Sequence, residues 1–275
     1  MELLPAYDGG RVSDSDRPMV TGGRSLTELR EFLERLHDQH NRPEFIAADP
    51  ISVPHMFSSR DDREIAGFLV ATISWGTRRS IVADANRMLA LVDHAPADFV
   101  RHASAAELER LRGFVHRTFN GRDLIDFVLA IRGIHERHGG IGRFFEAAYA
   151  AERSIPAVLR AFRREFLSFT HHAHSEKHIS SVEKGSACKR LNMYLRWFVR
   201  SDDRGVDFGL WRGIPMSALY LPLDTHTAAA GRALGLLSRR RNDWKATAEI
   251  TRNLRLLDPE DPVRFDFALF GWGAD

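Results

Sequence analysis

Lys184-Gly185-Ser186-Ala187-Cys188-Lys189-Arg190-Leu191-Asn192-Met193-Tyr194-Leu195-Arg196-Trp197 opens with a turn of small residues and runs directly into an apolar helical pattern. Such a junction leaves the first backbone N–H groups of the helix without intrahelical partners. They present partial positive charge at the point where the turn ends. That arrangement suits a phosphate. It also disfavours the protonated form of a lysine in the first turn, and Lys189 stands there with Arg190 beside it. A lysine whose pKa is lowered becomes a nucleophile near neutral pH.

The same three- and four-residue apolar spacing recurs on both sides of this segment. Leu26, Leu29, Phe32, Leu33 and Leu36 predict a helix from Ser25. Pro43, Pro50 and Pro54 mark an extended loop. Asp61 or Asp62 can cap a helix running to about Ser74, with Ile65, Phe68, Leu69 and Thr72 on one face. Trp75-Gly76-Thr77 interrupts it, and a further helix carries Ile81, Val82, Ala85, Met88 and Leu89. Short helices are expected near 96–111, then helices near 123–137, 141–150, 154–169, 187–200, 225–237, 243–255 and 260–271. Residues 170–184 are polar, hold four histidines and read as loop. No Val/Ile/Thr-rich alternating run predicts a strand, so the expected fold class is all-α. Residues 1–23 are rich in Gly, Asp, Ser and Pro without apolar periodicity, and read as a poorly ordered leader.

The 275 residues allow one large or two small domains, and 44% hydrophobic residues is the make-up of a globular chain. The single cysteine excludes a disulfide scaffold and any four-cysteine zinc or iron–sulfur site built by this chain alone. No apolar run approaches the roughly 18 residues of a membrane span. The N-terminus lacks a charged-then-apolar signal pattern, so a cytoplasmic protein is expected. The formal charge of +2 neither demands nor excludes a nucleic-acid partner. Residues 184–204, however, carry six basic and two acidic side chains, so a basic patch lies within a nearly neutral chain. Only Lys177, Lys184, Lys189 and Lys245 are lysines among 39 basic residues. An amine that can lose its proton is therefore scarce here, since guanidinium cannot do so.

A second chemical stretch is Leu221-Pro222-Leu223-Asp224-Thr225-His226-Thr227. Asp224 is placed to cap the helix that follows. A capping carboxylate can also be held rigidly at a cavity wall.

These two stretches carry a resemblance. Gly185-Ser186-Ala187-Cys188-Lys189 resembles the Gly-Val-Gly-x-Lys turn of the helix-hairpin-helix–Gly/Pro/Asp (HhH-GPD) DNA glycosylase superfamily. Pro222-Leu223-Asp224-Thr225-His226 resembles the Pro-Val-Asp-x-His segment that supplies its catalytic aspartate. Glu64–Thr77 is similar to the helix and loop that wedges into DNA beside an extruded base, and Phe265–Phe270 to the C-terminal helix lining the base pocket of 8-oxoguanine glycosylases. Residues 186–193, 222–227 and 261–270 most resemble a bacterial branch related to the archaeal 8-oxoguanine DNA glycosylases. The resemblance covers about residues 25–273.

It implies a single helical unit over 24–275 of two interleaved subdomains, with a DNA-binding cleft between them and a helix-hairpin-helix motif. It implies a base-excision repair enzyme, a glycosylase with AP lyase activity, acting on an oxidised purine such as 8-oxoguanine in double-stranded DNA. Lys189 would attack the sugar, and Asp224 would stabilise the cationic sugar and relay protons. Lys184, Gly185, Ser186, Ala187 and Arg190 would hold phosphate. Trp75, Gly76, Thr77, Arg78 and Arg79 would lie in the loop that fills the vacated space. Arg196, Asp266 and Phe270 would form the base pocket, Asp266 accepting a purine N–H and Phe270 stacking. No cofactor or metal is expected, and the protein would be a nucleoid-associated monomer without a membrane partner.

The chain departs from the superfamily pattern in three places. Lys189 and Asp224 lie 35 positions apart, a stretched gap shared with the archaeal enzymes. The extra length holds Asp202, Asp203, Asp207 and Trp211, to which the resemblance gives no role. Val182-Glu183-Lys184 replaces Leu-Pro-Gly, and Ala187 stands where a second glycine is usual.

Two other readings stay open. One is a non-catalytic hairpin module binding DNA or RNA. The other is a metal-dependent hydrolase using His171–His178, in which His174 and His178 have an i, i+4 ligand spacing.

Overall fold

Side-chain caps set where seven of the α-helices begin. The computed structural model describes residues 25–274, so the expected leader over 1–23 lies outside the described residues. In chain order the helices are α1 (Leu26–His40), α2 (Pro43–Ala48), α3 (Ser52–His55), α4 (Arg60–Ile73), α5 (Arg78–Leu91), α6 (Pro96–His102) and α7 (Ala105–Arg110). A two-stranded antiparallel ribbon follows, β1 (Val115–His116) against β2 (Phe119–Asn120). Then come α8 (Gly121–His138), α9 (Ile141–Glu152), α10 (Ile155–Phe166), α11 (Lys189–Val199), α12 (Thr225–Ala233), α13 (Trp244–Leu257) and α14 (Asp266–Ala274). The all-α expectation holds. No helix among the described residues is long and apolar enough to cross a membrane.

Ser25 caps α1 in a reciprocal box with Glu28. Thr77 caps α5, and Asn120 caps α8 in a box with Asp123. Each such cap stabilises by about 1 kcal/mol. For α4 the cap is Ser59, whose hydroxyl takes the Asp62 N–H, and not Asp61 or Asp62. Those carboxylates sit instead in the first turn, where the helix dipole favours them. Helix α11 starts at Lys189 and not near Ala187, because Cys188 turns left-handed at φ 50°. The ribbon was not expected. Two residues per strand are too few to show a period of two, and its turn is carried by Arg117 at φ 54°. The Asn120-Gly121 dipeptide, a hairpin signal elsewhere, here opens α8.

Gly121 is required by close approach. A Cβ there would stand 2.3–2.5 Å from the backbone of Leu111 and Arg112. Gly121→Ala is therefore expected to destabilise by about 1–3 kcal/mol through forced separation of α8 from the preceding turn. Urea unfolding checks this, and an unchanged midpoint would show that the two segments separate freely.

Two apolar cores organise the helices. The first is built on α4, in which every residue from Glu64 to Ile73 is buried. Helix α11 packs against it through Gly67, where a Cβ would stand 2.6 Å from the Phe198 ring. The second core joins α1 to α12, α13 and α14. The N-terminal helix thus completes a core otherwise made by the C-terminal segment. Helix α14 serves both, with Phe267 in the first core and Ala268 and Leu269 in the second.

Residues 201–221, the stretch without a sequence role, close the C-terminal end of α11. Phe208 N–H donates to Trp197 O at 2.7 Å and Trp211 N–H to Phe198 O at 2.8 Å. They satisfy carbonyls that the helix end leaves unpaired. Trp211 is fully buried, its indole donating to Glu64 Oε1 at 2.8 Å.

Candidate functional site

Between the two cores lies a cavity of about 810 Å³, within the size range of ligand pockets. Its wall brings together Lys189, Asp224, Arg196, Asp266, Phe270, Trp75, Gly76, Thr77, Arg78 and Arg190. The resemblance named all of these, from four separate stretches of chain.

Lys189 is positioned by the turn that precedes it. Gly185 adopts φ 77°, Gly185 N–H closes on Val182 O at 2.9 Å, and Ser186 N–H on Ser181 O at 3.0 Å. The turn is tied to the start of α13 by Trp244 N–H donating to Gly185 O at 3.0 Å. Ala187 has no positive φ, so a Cβ is tolerated where relatives carry glycine. The element entering this turn is a 3-10 helix, Ala173–His178, and not an α-helix. The histidine tract expected as loop is therefore partly helical. Lys189 itself is half-buried and open to the cavity. Burial lowers its pKa, opposed by the charges of Asp224, Asp49 and Asp266. Among the described residues its amine forms neither a hydrogen bond nor an ion pair.

Asp224 caps α12, and all the bonds its carboxylate accepts fall on one oxygen. Oδ1 takes His226 N–H at 2.9 Å, Thr227 N–H at 3.0 Å and Thr227 Oγ1 at 3.1 Å. The cap fixes the carboxylate and leaves Oδ2 for the cavity. Asp49 is a third cavity carboxylate, which sequence reasoning missed. It accepts from Ile51 N–H at 3.1 Å and pairs with Arg78 at 3.4 Å, and burial raises its pKa. An Asp ahead of Pro50 in a loop carries no pattern that would single it out.

Arg196 is less free than the pocket reading supposed. It lies buried between Asp207, at 3.3 Å, and Asp266, with its guanidinium 4.5 Å from the Phe267 ring centroid. Burial pushes the Asp266 carboxyl up to about 6 despite Arg196. Phe270 lies on the same face of α14 as Asp266 and lines the cavity. The Arg78 guanidinium covers its ring at 4.2 Å.

Trp75 does not stand out as a wedge. Its ring stacks on His178 at 5.8 Å, meets His116 edge-on at 4.9 Å and lies under the Arg190 guanidinium at 4.9 Å. Partners on these sides hold it in the wall. Arg190 is likewise turned inward. It donates to Thr72 O, and burial lowers its pKa to about 10. Gly76, Thr77 and Arg79 are exposed, and Arg79 lies outside the cavity lining.

Lys184, Gly185, Ser186 and Ala187 line a second, shallower concavity of about 420 Å³ on the outer side of the turn. Arg241 and Asn242 border it from the α12–α13 loop, also missed in the sequence. Lys189, Arg190 and Asn242 belong to both hollows, so the two adjoin. The histidines of the 170–184 tract line neither of them.

A family model described as a protein of unknown function, DUF2400, matches residues 49–275. No curated protein and no solved structure matches the chain.

Proposed function

The chain belongs to the DUF2400 family, whose description assigns no activity, and from its own cavity we propose a DNA base-excision glycosylase with AP lyase activity. One observation carries this reading. A lysine with a lowered pKa and a capped aspartate, distant in sequence, line the same cavity, and the turn bearing the lysine also borders an outer basic hollow.

A base inside a duplex is out of reach, so the nucleotide is extruded into the cavity at a cost of a few kcal/mol. The strand carrying it runs across the outer hollow, where Lys184, Arg241 and the first N–H groups of α11 meet phosphate. The neutral Lys189 amine attacks the sugar C1′. The N–C1′ bond forms, the bond from C1′ to the base breaks, and the base leaves with a proton. Asp224 Oδ2 faces the positive charge that develops on the sugar and takes the proton released by the amine. The C1′–O4′ bond then breaks, O4′ taking the proton held by Asp224, and the protonated Schiff base so formed acidifies the C2′ proton. Its loss expels the 3′ phosphate and nicks the strand.

For the base we propose an oxidised purine. Asp266 on α14 can accept a purine N–H with the oxygen that Arg196 leaves free, and Phe270 offers a ring face once Arg78 moves aside. A cavity that holds both a carboxylate and an aromatic one helical turn apart matches a flat, N–H-rich ligand.

Borohydride reduction of a reaction with an abasic duplex tests the enzyme reading. A covalent protein–DNA product is expected. Binding without trapping would leave a hairpin module without chemistry. A screen of lesion-bearing duplexes then tests the oxidised purine: release of 8-oxoguanine is expected, and release of a pyrimidine lesion alone would overturn it.

A further inference from the structure

Behind Trp75, outside the cavity, the histidine tract meets the start of α8. Asp123, His174 and His178 each offer a donor atom, and the three atoms lie within 4.8 Å of one another. The carboxylate comes not from Glu176 within the tract but from Asp123, 51 positions before His174. We propose that Asp123, His174 and His178 bind one divalent transition-metal ion of the zinc type, independently of the chemistry at Lys189.

Two of the three ligands are buried, Asp123 at 1% exposure and His178 at 5%. His178 Nε2 lies 3.4 Å from Asp123 Oδ2, yet it is not aligned for a hydrogen bond and has no other partner among the described residues. A buried ring nitrogen left so is destabilising. An ion explains the spacing. Two ligands each about 2.1 Å from a tetrahedral centre stand about 3.4 Å apart. His174 Nδ1 is closer to the carboxylate, 2.7 Å from Oδ1, so its ring must move outward to join the same centre. It is the exposed member of the three and free to do so, giving up its contact with Lys177.

The donor set selects the ion. Two imidazoles and one carboxylate suit zinc and its neighbours, whereas calcium and magnesium call for oxygen ligands. Supporting contacts are in place as well. Asp123 accepts from Asn120 N–H at 2.9 Å and from Ser175 Oγ at 2.8 Å, fixing the carboxylate. Trp75 and Phe119 hold the His178 ring.

The ion would clamp the Ala173–His178 helix, which leads into the Ser181–Cys188 turn, to the first turn of α8. Through His178 it would also back the Trp75 wall. This is a structural role.

The full chain, stripped with a chelator, is titrated with zinc chloride by calorimetry and followed by thermal unfolding. One equivalent is expected to bind and raise the melting temperature. His174→Ala, at an exposed position, is expected to weaken binding at least about tenfold. Asp123→Asn, checked for folding by circular dichroism, is expected to do the same. His172→Ala should bind as the wild type does, because His172 pairs with Asp126 instead. No binding by the wild type, or equal binding by His174→Ala, overturns the proposal. So does a loss confined to His172→Ala.

Discussion

Lys189→Gln is expected to abolish borohydride trapping on abasic DNA and to lower strand nicking by about 10³-fold or more, the scale of losing a nucleophile. The amine forms no hydrogen bond or ion pair among the described residues, so its removal breaks no structural contact. Glutamine is one atom shorter, stays polar and uncharged, and cannot form a Schiff base. The variant should therefore fold and bind DNA like the wild type, which separates chemistry from binding. Lys184→Gln is the paired control. Lys184 is exposed on the outer turn. Its loss should weaken binding and reduce the salt dependence by about one counterion, with trapping retained. Full trapping by Lys189→Gln would place the nucleophile elsewhere, with Lys184 the next amine along the chain.

The same lysine sets a pH dependence. Only the neutral amine attacks, so the trapping rate should rise with pH through the pKa of Lys189 and then level off. Burial outweighs Asp224, Asp49 and Asp266, so that pKa lies below the ordinary lysine value. The plateau should therefore be reached at a lower pH than an exposed lysine would give. Single-turnover trapping across pH measures it, and a rate still climbing beyond the ordinary lysine range would contradict the lowered pKa.

How much of this was legible in the sequence follows from the range of each signal. Apolar spacing located the long helices, because a buried helical face writes its period into the chain. Asp266 and Phe270 share a cavity-facing side of α14 for the same reason. Lys189 and Asp224 could be paired only through a resemblance, since no local pattern records that two segments meet. Asp49, Arg241 and Asn242 were missed because each sits in a loop, where tertiary packing alone decides what it faces. Trp75 and Arg190 were misjudged for a related reason. An aromatic in a loop and a guanidinium in a first helical turn read as free to contact DNA, but Arg190 covers the Trp75 ring, which stacks on His178. Likewise, the spacing of His174 and His178 was visible, while Asp123 joined them only when α8 packed against the tract.

Asp207→Ala is expected to destabilise the protein by about 3–5 kcal/mol. Its side chain is fully buried and bridges two arginines of α11, Arg196 Nε at 3.3 Å and Arg200 Nη1 at 3.1 Å. Both guanidiniums are themselves buried, at 5% and 1% exposure. Arg200 keeps Asp202 and Asp261 when Asp207 is removed, at 2.8 Å each, but Arg196 keeps Asp266 alone. The residual charge is then undercompensated in a place water does not reach. Removing one partner of a buried network is costly for this reason, even where the intact network adds little net stability. For a chain of this length the melting temperature should fall by about 10 °C. The effect should also reach the cavity. Arg196 would follow Asp266 without a counter-pull from Asp207, shifting the one carboxylate on α14 assigned to the base. Release of an oxidised purine should therefore suffer more than trapping on an abasic site, which has no base to hold. Asp203→Ala, in the same segment but outside the network, should stay within about 0.5 kcal/mol of the wild type. Thermal unfolding of both variants decides the matter: equal, small shifts would mean that the 201–221 segment only covers α11, whereas a large shift confined to Asp207→Ala makes it the strut that aims Arg196 and Asp266 into the cavity.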